Sequence, residues 1–130
     1  MHKLEESFSI INKTKGKLPS LPFVKIKEKI LGKDYSLSLS FIGSKTIKSL
    51  NSTYRKIKKP TDILSFPLSK KEGEIFICPK IARVKAIKFQ RSQTNFLIFL
   101  FIHGLVHLSG YDHGKKMEIV ENKYRKYFHI

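Results

Sequence analysis

Between Ser36 and Ile42 the chain alternates polar and apolar side chains, Ser-Leu-Ser-Leu-Ser-Phe-Ile, and this period of two predicts a half-buried strand that Gly43 closes. Upstream, residues 7–11 read as a short first strand, followed by a Lys- and Gly-containing loop that ends at Pro19. Phe23, Ile26 and Ile30 then fall on one helical face, with Ser20 as a cap, Pro22 in the first turn and Gly32 as the stop. Downstream, Ser44 is the next cap candidate. Ile47, Leu50 and Tyr54 recur at three and four residues, so a helix carries Asn51 and Arg55 toward its C-terminal end before Pro60 forbids its continuation. Ile63 to Pro67 and Ile75 to Cys78 read as two strands, joined as a hairpin through residues 69–73. Pro79 opens a helix with Ile81, Val84 and Ile87 inward, and a further helix begins near Ser92 to Asn95. A last helix after Gly114 sets Met117, Val120, Tyr124 and Tyr127 at helical spacing. With no internal repeat and no long linker, residues 1–130 form one domain. The order of elements predicts an α+β fold: a small mixed four-stranded sheet, provided residues 7–11 pair, with about five packed helices and the helix after Ser92 at its centre.

That helix carries the chemistry. Its apolar run, starting at Phe96, opens into His103, His107 and His113. His103 and His107 are four residues apart, which on a helix means an offset of about 40° and a rise of roughly 6 Å, so both imidazoles leave one face. Gly110 suits the left-handed conformation that ends a helix and lets the chain bring His113 back toward the first two rings. Three nitrogens leave one position of a tetrahedral zinc open, the arrangement of a catalytic rather than a structural site. Three imidazoles also bind nickel, copper or iron, so spacing alone does not name the metal.

The spacing matches the zinc-peptidase pattern H-E-x-x-H-x-x-G-x-x-H except after His103, where Gly104 replaces the Glu that serves as general base. Ordinary zinc peptidase chemistry is therefore disfavoured. His103-Gly-Leu-Val-His107-Leu-Ser-Gly-Tyr-Asp-His113 instead closely resembles the signature of the YbeY family of bacterial metal-dependent endoribonucleases, which mature ribosomal RNA. A second block, Asn51-Ser-Thr-Tyr54-Arg55 followed by Pro60-Thr61-Asp62-Ile63-Leu64-Ser65-Phe66-Pro67, is similar to the family's other hallmark, and the resemblance covers roughly residues 36–128. It implies the same fold, a four-stranded sheet with surrounding helices. It further implies one zinc ion per chain on His103, His107 and His113, an essential arginine at Arg55, and a single-stranded RNA substrate in the ribosomal RNA of the small subunit. Two positions depart from the pattern: Glu74 stands where Asp is usual, and Lys56 where a Gly is common.

Read from its own chemistry, Arg55 can hold a phosphate bidentately and stabilise the charge of a pentacoordinate transition state, or can simply be a solvated cation at a helix end. Asp112, just before His113, can accept a histidine N–H, serve as the missing base, or cap the turn after Gly110. Asp62 and Ser65 are candidates for the substrate groove, with turn capping and strand register as their structural alternatives. Met117 is explained by an apolar helix face and is not counted as a site.

Charge narrows the partner. The 26 Lys and Arg against 10 Asp and Glu give a formal net charge of +16, which favours a polyanion and predicts steep salt dependence without naming an RNA. The single cysteine, Cys78, has no internal partner, which suits a reducing cytoplasm. Met1-His2-Lys3-Leu4-Glu5-Glu6 lacks the apolar core of a signal peptide, and no apolar run reaches the roughly 18 residues of a membrane span. The leading expectation is a zinc-dependent, cytoplasmic, single-strand endoribonuclease of ribosomal RNA, with ribosome-associated proteins as further partners and neither DNA nor membrane expected. The alternative is a ribosome-associated RNA-binding protein whose zinc is mainly structural.

Overall fold

The computed structural model describes residues 7–130; the opening hexapeptide, read above as lacking a signal peptide's core, lies outside the described residues. Within them the chain runs β1 (Phe8–Asn12), α1 (Phe23–Leu31), β2 (Ser36–Phe41), α2 (Ser44–Arg55), β3 (Ile63–Ser69), β4 (Glu72–Ile77), α3 (Pro79–Lys88), α4 (Gln93–Leu108) and α5 (Lys115–Tyr127). The four strands form one mixed sheet in the order β1-β2-β4-β3, with β1, β2 and β4 parallel and β3 antiparallel to β4. The α+β expectation holds, and the first strand pairs, Phe8 lying opposite Leu37.

β2 is interior to the sheet, paired with β1 on one edge and β4 on the other. Leu37, Leu39 and Phe41 are buried on one face, and Ser40 is buried as well, which makes the alternation less half-buried than its serines suggest. β3 is an edge strand, which is why Pro67 is tolerated in it although proline has no N–H to donate.

α4 is the hub, packing against α1, α3, α5, β3 and β4. Ten of its 16 residues are buried, apolar nearly all round, as a helix enclosed by other elements requires. Each large side chain among them contributes about 1.5–3 kcal/mol by leaving water. A smaller core of Ile42, Ile47, Leu64 and Cys78 packs α2 on the opposite face of the sheet.

Four details differ from the sequence reading. α1 begins at Phe23 behind Pro22, and Ser20 does not cap it. Gly43, not Ser44, is the N-cap of α2, and Ser44 is its first helical residue. On α3 the buried positions are Pro79, Ala82 and Ala86, whereas Val84 and Ile87 are 65% and 77% exposed. Two stripes at helical spacing compete on that helix, and the one with small side chains faces α4 because it allows closer approach. Tyr127 on α5 likewise points outward, at 57% exposure, while Met117 is buried in the main core.

Among the described residues no helix is long and apolar enough to cross a membrane.

Candidate active site

Ser92 starts the site by capping α4, its hydroxyl accepting the Asn95 N–H at 3.0 Å. The register set there delivers His103 and His107 to one face of the last turns. After Leu108 the chain reverses: the Gly110 N–H donates to the His107 carbonyl at 3.1 Å, and Gly110 and Gly114 take φ of +110° and +138°, values that side-chain-bearing residues rarely adopt. His113 sits between the two glycines and returns over the helix, its ring centroid 5.7 Å from that of His103 and 6.3 Å from that of His107. With Arg55, Asp62, Ile63, Leu64 and Ser65, the three imidazoles line one cleft of about 260 Å³.

α2 ends at Arg55 because Lys56 turns left-handed, at φ +61°, with its N–H on the carbonyls of Asn51 and Ser52. Asn51, itself buried, donates from Nδ2 to the Lys59 carbonyl at 2.9 Å and so ties down the segment leading to Asp62. The Asp62 carbonyl accepts the Cys78 N–H at 2.9 Å; one carboxylate oxygen lies 3.2 Å from Lys85 Nζ, and the other accepts from Thr61 Oγ1 at 3.3 Å. Asp62 therefore lines the cleft with both oxygens engaged. Ser65 Oγ reaches back to the Gly104 carbonyl at 3.4 Å.

Gly104 is where the peptidase pattern fails, and packing gives the reason. A Cβ there would stand 2.9–3.0 Å from Ser65 Oγ, Ile63 Cδ1 and Ile75 Cδ1 together. The helix lies so close to β3 and β4 that any side chain at this position, a glutamate most of all, requires the tips of Ser65, Ile63 and Ile75 to move.

Nδ1 of His103 donates to Oε2 of Glu121 at 2.8 Å, which leaves Nε2 as the nitrogen with a free lone pair. Glu121 is buried on α5, and Arg125 Nη1 stands 3.8 Å from the same oxygen. Asp112 does not fill the orienting role suggested for it: it is exposed and makes no hydrogen bond to a histidine among the described residues, acting on His107 only through space. Glu121 escaped the sequence reading, although it follows the inward Met117 by four residues, which puts an acid on the buried face of the last helix.

Nδ1 of His107 is buried and has no hydrogen-bond partner among the described residues. Burial first, then the nearby His103 and His113 and more weakly Arg55, hold its pKa below the ordinary histidine value, against an upward pull from Asp112. The ring is thus neutral near pH 7, the form that ligates a metal. Around a tetrahedral zinc with Zn–N bonds of 2.0–2.1 Å, neighbouring imidazole centroids stand about 5 Å apart. The observed rings are somewhat wider, and among the described residues no three His, Cys, Asp or Glu side chains are drawn into a closed ligand set. In donor type and in convergence on one cleft, the three histidines fit a zinc ion.

Residues 9–128 match the family model described as Endoribonuclease YbeY. The chain is 35% identical over 99 residues to the Endoribonuclease YbeY of Thermotoga maritima, an alignment covering 72% of this chain and 66% of that protein. It is 32% identical over 128 residues to that of Finegoldia magna, covering 92% and 84%. The solution structure of TM1509 from Thermotoga maritima superposes with a TM-score of 0.63 at 30% identity, over 90% of this chain and 85% of that one. The chain spans about two thirds of the length of the first of these relatives. A match over nearly the whole chain, on a mixed sheet with the histidine helix at its hub, makes this protein a member of the YbeY family of endoribonucleases.

Proposed function

We propose that this protein is a zinc-dependent, single-strand-specific endoribonuclease that matures ribosomal RNA of the small subunit in the cytoplasm, with His103, His107 and His113 as ligands of one zinc ion and Arg55 as the residue that holds the phosphate. The observation that carries this reading is the meeting of three imidazoles and one guanidinium in a single cleft.

Held by His103, His107 and His113, a zinc ion would supply Lewis acidity and would acidify a water. The chain's own residues do the rest. Glu121 fixes the His103 ring through Nδ1 and so aims Nε2 into the cleft. His107 remains neutral and keeps a lone pair. Arg55 presents a planar fork of donors to a phosphodiester and stabilises the extra negative charge of its pentacoordinate state. Asp62, gripped by Lys85 and Thr61, fixes the wall opposite the helix and faces the phosphate only with oxygens already engaged. Ser65 holds the edge strand to α4. The formal charge of +16 draws RNA to the surface before any specific contact forms.

The second reading, an RNA-binding protein with a structural zinc, is favoured by one observation: among the described residues Asp62 is the one carboxylate lining the cleft, and its two oxygens already contact Lys85 and Thr61. Zinc analysis of the purified protein, together with cleavage of single-stranded ribosomal RNA by wild type and Arg55→Ala, separates the two. Near-stoichiometric zinc with cleavage lost in Arg55→Ala supports the nuclease. Unfolding on chelation, with RNA processing unchanged in Arg55→Ala cells, supports the binding protein.

A further inference from the structure

Immediately behind Arg55 the structure exposes an aromatic side chain that the catalytic reading leaves unused. Tyr54 is 67% exposed although it is a large ring on a helix that buries Ile47. Its ring meets Phe66 at a tilt of 59°, centroid to centroid 5.4 Å, and Phe66 in turn contacts Phe76 at 6.0 Å. These three rings, with Leu50, Pro67 and Leu68, line a groove of about 350 Å³ whose rim carries Glu74.

The groove adjoins the cleft twice along the chain. Arg55 and Ser65 line the cleft, while their neighbours Tyr54 and Phe66 line the groove. Ser65 and Phe66 point to opposite faces of β3, β3 is the edge of the sheet, and Leu64, on the Phe66 face, also lines the cleft, so the two hollows meet along one edge. A strand of RNA whose phosphate is held at Arg55 needs only to pass round that edge to set a base against Tyr54.

The chemistry of the groove selects a base over a phosphate. Its walls are apolar and aromatic, and its charged member is an acid in a chain of net charge +16. Glu74 lies opposite Phe66 in the β3–β4 ladder and makes no ion pair among the described residues. A carboxylate there repels phosphate and accepts from exocyclic amino groups, as on cytosine.

We propose that Tyr54, backed by Phe66, is a stacking platform for an unpaired nucleobase next to the phosphate bound at Arg55, and that this subsite contributes to the choice of single-stranded RNA. A base in a duplex has its faces covered by neighbours and cannot use such a platform. The inference rests on the nuclease reading for its substrate, but its test needs no cleavage.

Binding is measured by fluorescence anisotropy in chelator-treated buffer. The probes are labelled oligocytidylate, oligouridylate and an abasic ribose-phosphate oligomer of equal length, with Tyr54→Ala, Tyr54→Phe and Glu74→Gln beside wild type. Thermal melting confirms that each variant is folded. The expected result is at least about fivefold weaker binding of both base-bearing oligomers by Tyr54→Ala, no change for the abasic oligomer, and wild-type affinity in Tyr54→Phe. Glu74→Gln narrows the preference for cytosine over uracil. Equal loss on the abasic oligomer, or no loss on any, overturns the proposal. A protein that binds in this base-dependent way and yet does not cleave would count against the nuclease reading while leaving the platform in place.

Discussion

Nδ1 of His103 donates to Oε2 of Glu121 across 2.8 Å, although 18 residues of chain and a helix–turn–helix reversal separate them. The bond fixes the tautomer and angle of the imidazole, and Arg125, whose guanidinium lies 4.9 Å over the Phe99 ring, steadies the carboxylate from behind. Removing such an orienting partner typically costs 10–100-fold in metal affinity. Glu121→Ala is therefore expected to lower zinc affinity by about that factor in a chelator competition, with Glu121→Gln in between. Unchanged affinity in both would show that Glu121 does not position the ring.

Gly104→Ala is expected to destabilise the fold even though alanine is the better helix former. The gain in helix propensity is about 1 kcal/mol. Against it stand simultaneous encounters with Ser65, Ile63 and Ile75, and overpacking of this kind costs about 1–3 kcal/mol. Denaturant unfolding should show a net loss of up to about 2 kcal/mol, and a larger one for Gly104→Glu. A stabilised Gly104→Glu variant would contradict the packing explanation for the missing glutamate.

Lys56→Gly is expected to stabilise the protein. Lys56 holds φ +61° to close α2, a conformation that costs a side-chain-bearing residue about 1–2 kcal/mol, partly offset by the greater freedom of glycine in the unfolded chain. A gain of about 0.5–1 kcal/mol in denaturant unfolding is the expected outcome. A loss would mean that the lysine side chain itself holds the turn.

Stability of the metal-free protein should fall as pH drops through the range below 6.5. The His107 pKa is lowered in the folded state, by burial first and then by His103, His113 and Arg55. Between that lowered value and 6.5 the unfolded chain binds a proton that the folded chain does not, so stability rises with pH across the window and is fully present above it. Melting temperatures of wild type and His107→Gln from pH 5 to 8 test this, and the substitution is expected to flatten the slope. Identical slopes would contradict it.

Much of this was legible in the sequence, and the limits have physical causes. The histidine helix could be read because its cap, its apolar run and its stop are local signals, and the return of His113 follows from the helix-ending Gly110 three residues before it. Arg55 could be placed at a helix end because Pro60 forbids continuation. The inward face of α3 could not be read, because Ile81, Val84 and Ile87 form a stripe as regular as that of Ala82 and Ala86, and only the nearness of α4 chooses between them. Glu121 was hidden for a similar reason: its partner comes from another helix, and Asp112 is nearer in sequence but not in space. The absence of Glu at position 104 was visible at once, whereas its cause needed Ile63, Ser65 and Ile75 to be seen together.

The most direct test of the central claim is cleavage of single-stranded ribosomal RNA by zinc-loaded wild type and zinc-treated His107→Ala, purified side by side and confirmed as folded. Cleavage by wild type that chelation abolishes, and its loss in His107→Ala, is the predicted result. Equal rates in the two proteins would contradict it, since the activity would then owe nothing to the three imidazoles.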